Sequence, residues 1–486
     1  MSASSSPPQL SPEPPADLGV AVRNGWDGRA SKRFVGLALA RVVAQFAGFA
    51  WFVISARALG PAEFGRLAAG LTFFALFAGI GDLGTTRTIV RHVAADHRLL
   101  ASAFRQATGL RVSWGLLTAA LTLGALSVIT DAVSLPVVAI AGLVAVASGV
   151  TELGYAGLRA VGRVRAEAAL LLFERVGFLV AATIYVRGHH SAVGIMLIYL
   201  ASNSVSAIAV STLIISGRSA LRSPPVSFTD RQARLTAAEF ALATVSPRIS
   251  ALVLILMATP AGVGVFVAAQ RPIEAMALLA LSTAAPVLPI VRSRLLAGRR
   301  VDAERAAVSV AAALMLVAGP LLAWLAVRPE SVLTILFGTE PDGAARLTVR
   351  LLALTAVTWT FRGVAEFVLL AEERAGAALR IMTIGVAVNL AGCLLLVPRH
   401  GAAGAAIAML VAEVVMTAAI VAALPRMVDR SSLPDYAPAL GLAAITAIGL
   451  GWLGASAGGA LGVLAVATVV AAFLALRTLR GLEVAT

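Results

Sequence analysis

Charged and amide side chains interrupt several long apolar stretches of the sequence. In the first stretch, Phe34 to Ala56, Arg41 and Gln45 lie one helical turn apart. A cation inside hydrocarbon is costly unless it faces protein or water, so such a residue is a functional candidate by default. A guanidinium stays charged, and its fork binds phosphate oxygens in pairs. Later apolar stretches carry Arg248 and Arg271, which offer the same chemistry.

The stretches that must position these side chains are long enough to cross a membrane as helices. The chain has 486 residues, 59% of them hydrophobic and 13% charged, with a mean hydropathy of +0.91, which lies far outside soluble norms. This composition predicts an all-α polytopic membrane protein with fourteen transmembrane helices. The predicted spans are 34–56, 66–90, 108–129, 135–158, 168–186, 192–216, 235–258, 262–291, 306–327, 348–370, 375–397, 402–424, 437–453 and 459–476.

Positive charge sets the orientation of these helices, because Lys and Arg resist translocation. Lys and Arg are concentrated in alternate connections, beginning with the N-terminal segment, which predicts cytosolic N- and C-termini.

The net charge of +14 is spread over short clusters between apolar runs and does not favour nucleic acid as a partner. Residues 1–31, rich in Ser, Pro and Ala, predict a disordered cytosolic tail. The inner connections 91–106 and 217–234 predict amphipathic surface segments.

Two short patterns recur along the chain. GPAEFG at Gly60–Gly65 recurs as TPAGVG at Thr259–Gly264, an offset of 199 residues. HHSAVG at His189–Gly194 recurs as RHGAAG at Arg399–Gly404. Each pair holds the same place in a six-helix count, which predicts a parallel repeat of two six-helix lobes around a central cavity. The predicted divisions are an N-lobe at 32–216, a cytosolic linker at 217–234, a C-lobe at 235–424, and helices 13 and 14 with a short tail at 425–486.

Three stretches carry a resemblance to a known family. They are LGPAEFGRLAAGLTFFALFAGIGDLG at Leu59–Gly84, SPRISALVLILMATPAGVGVFVAAQRPIEAM at Ser246–Met276 and NLAGCLLLVPRHGAAGAAIAMLVAEVV at Asn389–Val415. In this order they resemble the polysaccharide and oligosaccharide flippases of the MOP (multidrug/oligosaccharidyl-lipid/polysaccharide) exporter superfamily. The resemblance covers residues 34–424. It implies two lobes of six helices around a cavity that opens alternately to each side, and helices 13 and 14 fit members with two extra spans.

The resemblance also implies a function. It implies a transporter, not an enzyme, that flips undecaprenyl-diphosphate-linked oligosaccharide across a bacterial plasma membrane for polysaccharide biosynthesis. Its implied partners are the prenyl-diphosphate-linked glycan, the lipid bilayer, and glycosyltransferases or a polymerase of the same pathway. Because the diphosphate of such a substrate lies next to the lipid, a flippase needs cations part-way through the membrane.

Arg41 and Arg271 come from opposite lobes and are the first candidates to bind the diphosphate, since the resemblance places cavity arginines on both helices. Arg248 follows Pro247, which permits a kink in the helix. The complete candidate set for substrate binding is Arg41, Gln45, Arg248, Gln270, Arg271 and Arg362.

A structural role is the alternative for these arginines. Arg362 and Glu366 have i,i+4 spacing, and Arg271 and Glu274 have i,i+3 spacing, so the charges can neutralise one another within a helix. Two further arginines lie near the predicted cytosolic ends of their spans and are expected to snorkel to the interface. They are Arg111 and Arg380.

Coupling of transport to a gradient of H⁺ or Na⁺ requires a group that changes its charge inside the membrane. The candidate carboxylates are Asp82, Glu239, Glu366 and Glu413, for each of which a hydrogen-bonded structural role is the alternative. No Walker A sequence is present, and the five histidines lack metal-ligand spacing. The sequence therefore predicts no cofactor and no metal site.

Three other functions compete with the flippase. A drug or cation antiporter of the same superfamily needs an acidic cavity, whereas the first span carries Arg41 and no carboxylate. A membrane glycosyltransferase or polymerase usually presents a sizeable outer loop or an acidic motif, and the longest outer connection, residues 328–347, is short. A non-transporting scaffold within an envelope-synthesis complex is compatible with the sequence.

Overall fold

The computed structural model describes residues 28–129, 134–215, 242, 244–284, 287–338, 342–372, 374–424, 433–452, 466–467 and 470. Four predictions lie outside these ranges wholly or for the most part. They are the N-terminal tail, the amphipathic linker 217–234, the fourteenth span and the coupling candidate Glu239.

Fourteen α-helices make up nearly all of the described residues, with 3₁₀ turns at His97–Leu99 and Ser246–Arg248 and no β-strand in the described part. Except for α11, which lies in the predicted outer connection 328–347, they overlap the first thirteen predicted spans, and they confirm the all-helical class. The helices are α1 (Gly28–Gly81), α2 (Thr85–Ala95), α3 (Leu100–Ile129), α4 (Leu135–Ala160), α5 (Val164–Tyr185), α6 (Ala192–Ile215), α7 (Ile249–Met257), α8 (Pro260–Ala284), α9 (Val287–Leu296), α10 (Arg300–Val327), α11 (Pro329–Phe337), α12 (Gly343–Ala371), α13 (Ala375–Ala423) and α14 (Leu433–Trp452).

Within the described residues, seven helices are long and apolar enough to cross a membrane: α1, α3 to α6, α10 and α13. In two of them a glycine joins two predicted spans: α1 holds the first span and the start of the second, and α13 holds the eleventh and twelfth. Gly60 has φ 70° and ψ 172°, and Gly401 has φ 51° and ψ −129°. These backbone conformations favour glycine over any residue with a Cβ. Pro61 starts the next helical segment after Gly60, where its fixed φ is suitable and its missing N–H costs nothing.

The second predicted span is not one continuous helix, which corrects the sequence analysis. The chain leaves the helix after Gly81, passes through Leu83 and Gly84 with φ of 47° and 72°, and resumes as α2. The Thr85 hydroxyl donates to the carbonyl of Asp82 at 2.6 Å, and the Thr85 N–H donates to the same oxygen at 2.8 Å. The break therefore places the Asp82 side chain at a helix end instead of within a helix.

The two lobes meet along α1 and α8, and α7 and α11 also contact α1. At one end of this interface the repeated turns touch each other. A Cβ on Gly65 would overlap the carbonyl of Pro260, and a Cβ on Gly264 would lie 2.7 Å from the carbonyl oxygen of Pro61. The 199-residue offset relates Pro61 to Pro260 and Gly65 to Gly264, so the contact is reciprocal. We call these four residues the turn seal.

The second repeated pattern also makes equivalent contacts in the two lobes. A Cβ on Gly194 would overlap the side chain of Tyr185, at the end of the preceding helix. A Cβ on Gly404 would overlap the carbonyl of Leu396, which lies shortly before the end of the preceding helical segment at Gly401. Both glycines therefore allow the sixth helix of a lobe to start directly against the fifth, in agreement with the parallel repeat.

Candidate functional site

One stripe of α1 divides the lobe interface into a closed part and an open part. Phe52, Ala56 and Leu59 lie on this stripe toward the turn seal and are buried. Arg41 and Gln45 continue the same helical spacing away from the seal and are exposed. The stripe is therefore covered beside the turn seal and uncovered toward Arg41, and we call the space beside its uncovered part the cleft.

At the open end of the cleft, Arg41, Arg159 and Glu167 form a cluster that we call the mouth cluster. Arg41 donates from Nη2 to Oε1 of Glu167 at 3.1 Å. Arg159 donates to the same oxygen from Nη2 at 2.7 Å, and its Nε lies 3.2 Å from each carboxylate oxygen. The Glu167 side chain is 2% exposed, whereas those of Arg41 and Arg159 are 50% and 43% exposed. The carboxylate is thus enclosed while the two cations face the opening.

A second cluster, Arg248, Arg271 and Glu274, lies where the lobes meet, and we call it the seam cluster. Arg271 donates from Nη1 to Glu274 at 2.8 Å, and Arg248 donates to the other carboxylate oxygen. The guanidinium carbon of Arg271 lies 5.4 Å from the ring centroid of Phe52, a cation–π contact that joins the two lobes. The Nε atoms of Arg248 and Arg271 are buried without a hydrogen-bond partner.

The two clusters contain the same numbers of arginines and carboxylates but lie at different positions along α1. Each has two guanidinium groups and one carboxylate, so each carries an excess charge of +1 when the carboxylate is ionised. Along α1, Arg41 and the seam contact Phe52 are separated by about 16 Å at the helical rise of ~1.5 Å per residue. Arg41 and Arg271 are therefore on two levels of the cleft and do not form one site.

Two other predicted binding residues are engaged with the protein. Gln270 donates to the carbonyl of Pro247 at 3.1 Å and ties α8 to the turn before α7. Arg362 is buried between α12 and α13, where it binds Glu413 at 2.8 Å and Glu366 at 2.9 Å. With two carboxylates on one guanidinium, this group has no excess positive charge to offer a phosphate.

The predicted coupling carboxylates inside the described ranges are held by arginines. Glu366 and Glu413 share Arg362. Asp82 forms an ion pair with Arg111 and accepts from the Thr86 hydroxyl at 2.6 Å. The snorkelling prediction for Arg111 was wrong, because its side chain is 4% exposed.

Arg111 is buried because its guanidinium group bonds to groups of three helices. Its Nε donates to the Thr85 hydroxyl and its Nη1 donates to the carbonyl of Gly149, each at 2.6 Å. The guanidinium thus bonds at the same time to Asp82 beyond the end of α1, to Thr85 at the start of α2 and to Gly149 in the middle of α4. Arg380, by contrast, is exposed and donates to the carbonyl of Gly376 on its own helix at 3.2 Å, as a surface arginine does.

Sequence reasoning missed three residues of this region. Arg159 and Glu167 lie in the last turn of α4 and the first turn of α5, where charges are expected at any membrane boundary.

Glu152, the third of these residues, lies within the fourth span and is exposed, although Ser148 and Ala156, one turn away on either side, are buried. An exposed carboxylate among buried neighbours faces water inside the protein, because a lipid-facing position would be prohibitive. The sequence signal that could have identified Glu152 is the presence of a carboxylate inside an apolar stretch.

Comparison with known proteins identifies the family. A sequence model described as polysaccharide biosynthesis protein matches residues 32–291, more than half of the chain. No curated protein sequence matches the chain.

Solved structures share the fold at low sequence identity. An inward-facing multidrug resistance MATE family transporter of the MOP superfamily aligns with a TM-score of 0.60 and 17% identity, covering 83% of this chain and 99% of that chain. The lipid II flippase MurJ, in an inward closed conformation, aligns with a TM-score of 0.59 and 10% identity, covering 90% and 97%. A MOP superfamily transporter from Pyrococcus furiosus, described by the reverse polarity of its binding pocket, aligns with a TM-score of 0.53 and 17% identity, covering 84% and 98%.

Replacing Arg111 with alanine is expected to destabilise the protein by roughly 3–5 kcal/mol, because Asp82 would be left as an unpaired buried charge. Thermal unfolding of the purified protein measures the loss. The matched control is Arg380→Ala, which removes an exposed guanidinium and is expected to change stability by less than about 0.5 kcal/mol. Equal melting temperatures for the two variants would contradict the structural role of the Asp82 and Arg111 pair.

Proposed function

The chain belongs to the polysaccharide biosynthesis protein family, and we propose that it flips undecaprenyl-diphosphate-linked oligosaccharide across a bacterial plasma membrane. It acts as a transporter and not as an enzyme. The two lobes carry the polar head through the cleft while the prenyl tail stays in lipid. The fold shared with a lipid II flippase supports this proposal, and glycosyltransferases of the same pathway are the partners that would supply the substrate.

The excess positive charge of the seam cluster is the observation that carries the proposal. A diphosphate requires donors that keep their charge away from bulk water, and guanidinium groups do so at all physiological pH values. Glu274 holds Arg248 and Arg271 in place but neutralises only one of them. The unpartnered Nε atoms add donors whose burial is unfavourable unless a ligand or water reaches them.

A drug or cation exporter remains the second candidate, because MATE family transporters share the fold. An exporter of cations needs carboxylates facing its cleft. Here both clusters on the cleft carry more positive than negative charge, which favours an anionic substrate over a cationic one.

Arg271→Ala is expected to lower the flipping rate about tenfold or more, since a charge-assisted phosphate contact is worth about 1.5–3 kcal/mol. Glu274 keeps its partner Arg248 in this variant, so the fold should persist. The measurement is translocation of a fluorescent prenyl-diphosphate-linked sugar in proteoliposomes. Arg271→Lys should retain part of the rate, and Arg380→Ala should retain all of it. Undiminished flipping by Arg271→Ala would indicate another substrate site, and absence of flipping by the unmodified protein would favour a non-transporting scaffold.

Alternating access requires the turn seal to open. In the predicted orientation the seal lies at the outer surface and the cleft opens to the cytosol. Phe64 and Phe337 extend the contact next to the seal, with ring centroids 5.6 Å apart. Because the turns touch through backbone carbonyls and glycines, they can separate without breaking an ion pair or a hydrogen bond between them.

Gly65→Ala is expected to favour the outward-open state, because the added methyl group would overlap the carbonyl of Pro260. A cysteine at Gln45, in a background with Cys393→Ala, reports the state through labelling by a membrane-impermeant maleimide. The original sequence should be labelled mainly from the cytosolic side, and Gly65→Ala several-fold more from the outside. Gly262→Ala is the matched control, because its methyl group has room, with Thr259 Oγ1 at 3.5 Å. Unchanged sidedness in Gly65→Ala would refute the gating role of the seal.

For the coupling of transport to protons we propose Glu152. It is exposed and lies near Arg111, Arg175 and Glu174, with no hydrogen bond to any of them. The predicted carboxylates Asp82 and Glu413 are committed to arginines and would lose a buried ion pair on protonation. A carboxylate that water can reach is better placed to exchange a proton.

Glu152→Gln is therefore expected to abolish stimulation of flipping by a pH gradient while flipping without a gradient persists. Proteoliposomes with an imposed pH difference measure this. Glu330→Gln, at the exposed start of α11, should leave the stimulation unchanged. Full stimulation in Glu152→Gln would eliminate this carboxylate as the coupling group.

A further inference from the structure

We propose that the mouth cluster is a second phosphate-binding site, which holds the diphosphate of the incoming lipid before the seam cluster does. This inference rests on the proposed function, because it assigns the same prenyl diphosphate to an additional site. It adds Arg159 as a substrate-binding residue and Glu167 as a positioning residue.

The contacts of the mouth cluster leave donors available. Arg159 turns Nε and Nη2 toward Glu167, and Arg41 turns Nη2 toward it. The other guanidinium nitrogens, Nη1 of Arg159 with Nε and Nη1 of Arg41, are directed elsewhere on side chains that are about half exposed. An anion at the opening can therefore be bound by both arginines without displacing Glu167.

Glu167 acts by fixing the arginines. Its burial and its paired contact with Arg159 hold two flexible cations in one place, which lowers the entropy lost when a ligand binds. One carboxylate cannot neutralise two guanidinium groups, so the positive excess lies on the exposed members. If Glu167 formed an ion pair only to stabilise the fold, one arginine would be enough.

The position of the cluster suits the first contact with a substrate. Arg41 lies on the stripe that lines the cleft, on its exposed part, while Arg159 ends α4 beside it. Arg163 precedes α5 and Arg165 lies in its first turn, and both are also exposed. Clustered positive charge raises the local concentration of anions and speeds their association. The seam cluster, ~16 Å deeper along α1, would take the head in the next step.

A phosphate at this depth has two sources, the prenyl diphosphate of the substrate or the headgroup of an anionic phospholipid. We assign the substrate, because two guanidinium groups around one buried carboxylate match two adjacent phosphates better than one. A headgroup phosphate offers only one phosphate group to the two guanidinium groups.

The test uses the full-length protein in nanodiscs of phosphatidylcholine, with farnesyl diphosphate as the probe and its Kd as the readout. Arg159→Ala is expected to weaken binding about tenfold, the loss of one charge-assisted contact. Glu167 keeps Arg41 in this variant, and an unchanged melting temperature verifies the fold. Arg159→Lys should restore part of the affinity, whereas Arg380→Ala should change it less than about twofold.

Wild-type affinity in Arg159→Ala would overturn the inference and leave the proposed function standing, and so would a loss of binding in Arg271→Ala alone. If the unmodified protein does not bind farnesyl diphosphate, both the inference and the proposed function are contradicted. A further arm replaces a fifth of the lipid with phosphatidylglycerol. If this competes with farnesyl diphosphate in the unmodified protein but not in Arg159→Ala, the site belongs to a phospholipid headgroup and the assignment to substrate is wrong.

Discussion

The cost of a charge in a medium of low dielectric governs the interior of this protein. Each arginine discussed within the spans, except the exposed Arg380, has a carboxylate within hydrogen-bonding reach, because an unpaired buried ion there loses solvation that nothing else restores. The number of carboxylates per arginine then decides what a cluster can do. Balanced or acidic groups, such as Asp82 with Arg111 and Arg362 with two glutamates, lie inside a lobe and join its helices. Groups with an arginine in excess lie on the cleft.

In the proposed transport cycle, this division also separates the parts of the molecule that stay rigid from the contacts that must open. The ion pairs of Arg111 and Arg362 connect helices of one lobe, so each lobe can rotate as a unit without breaking them. Between the lobes the described contacts are of a different kind: glycine against a proline carbonyl at the turn seal, and Phe52 against Arg271 at the seam. Such contacts exchange for water or lipid at small cost, as an interface that opens and closes requires.

Much of the fold was predictable because it depends on local signals. Apolar length located the spans, and the Gly-Pro pair at Gly60 and Pro61 located the first hairpin. The break at Asp82 was not predictable, since it depends on Arg111 reaching across from another helix. Within the site, Arg41 and Arg271 stood out against their apolar surroundings. Arg159 and Glu167 did not, because charges at span ends are ordinary and their contact with Arg41 spans more than a hundred residues.

The turn seal shows why the duplication matters physically. Two copies of one turn that face each other across a local two-fold axis make every contact twice, so a single sequence pattern specifies both sides of the interface. Gly65 and Gly264 must both stay small, because each receives a carbonyl from the proline of the opposite turn. The seal is consequently tight yet held by few interactions. Rotation of the lobes can therefore separate the two turns without breaking a hydrogen bond between them.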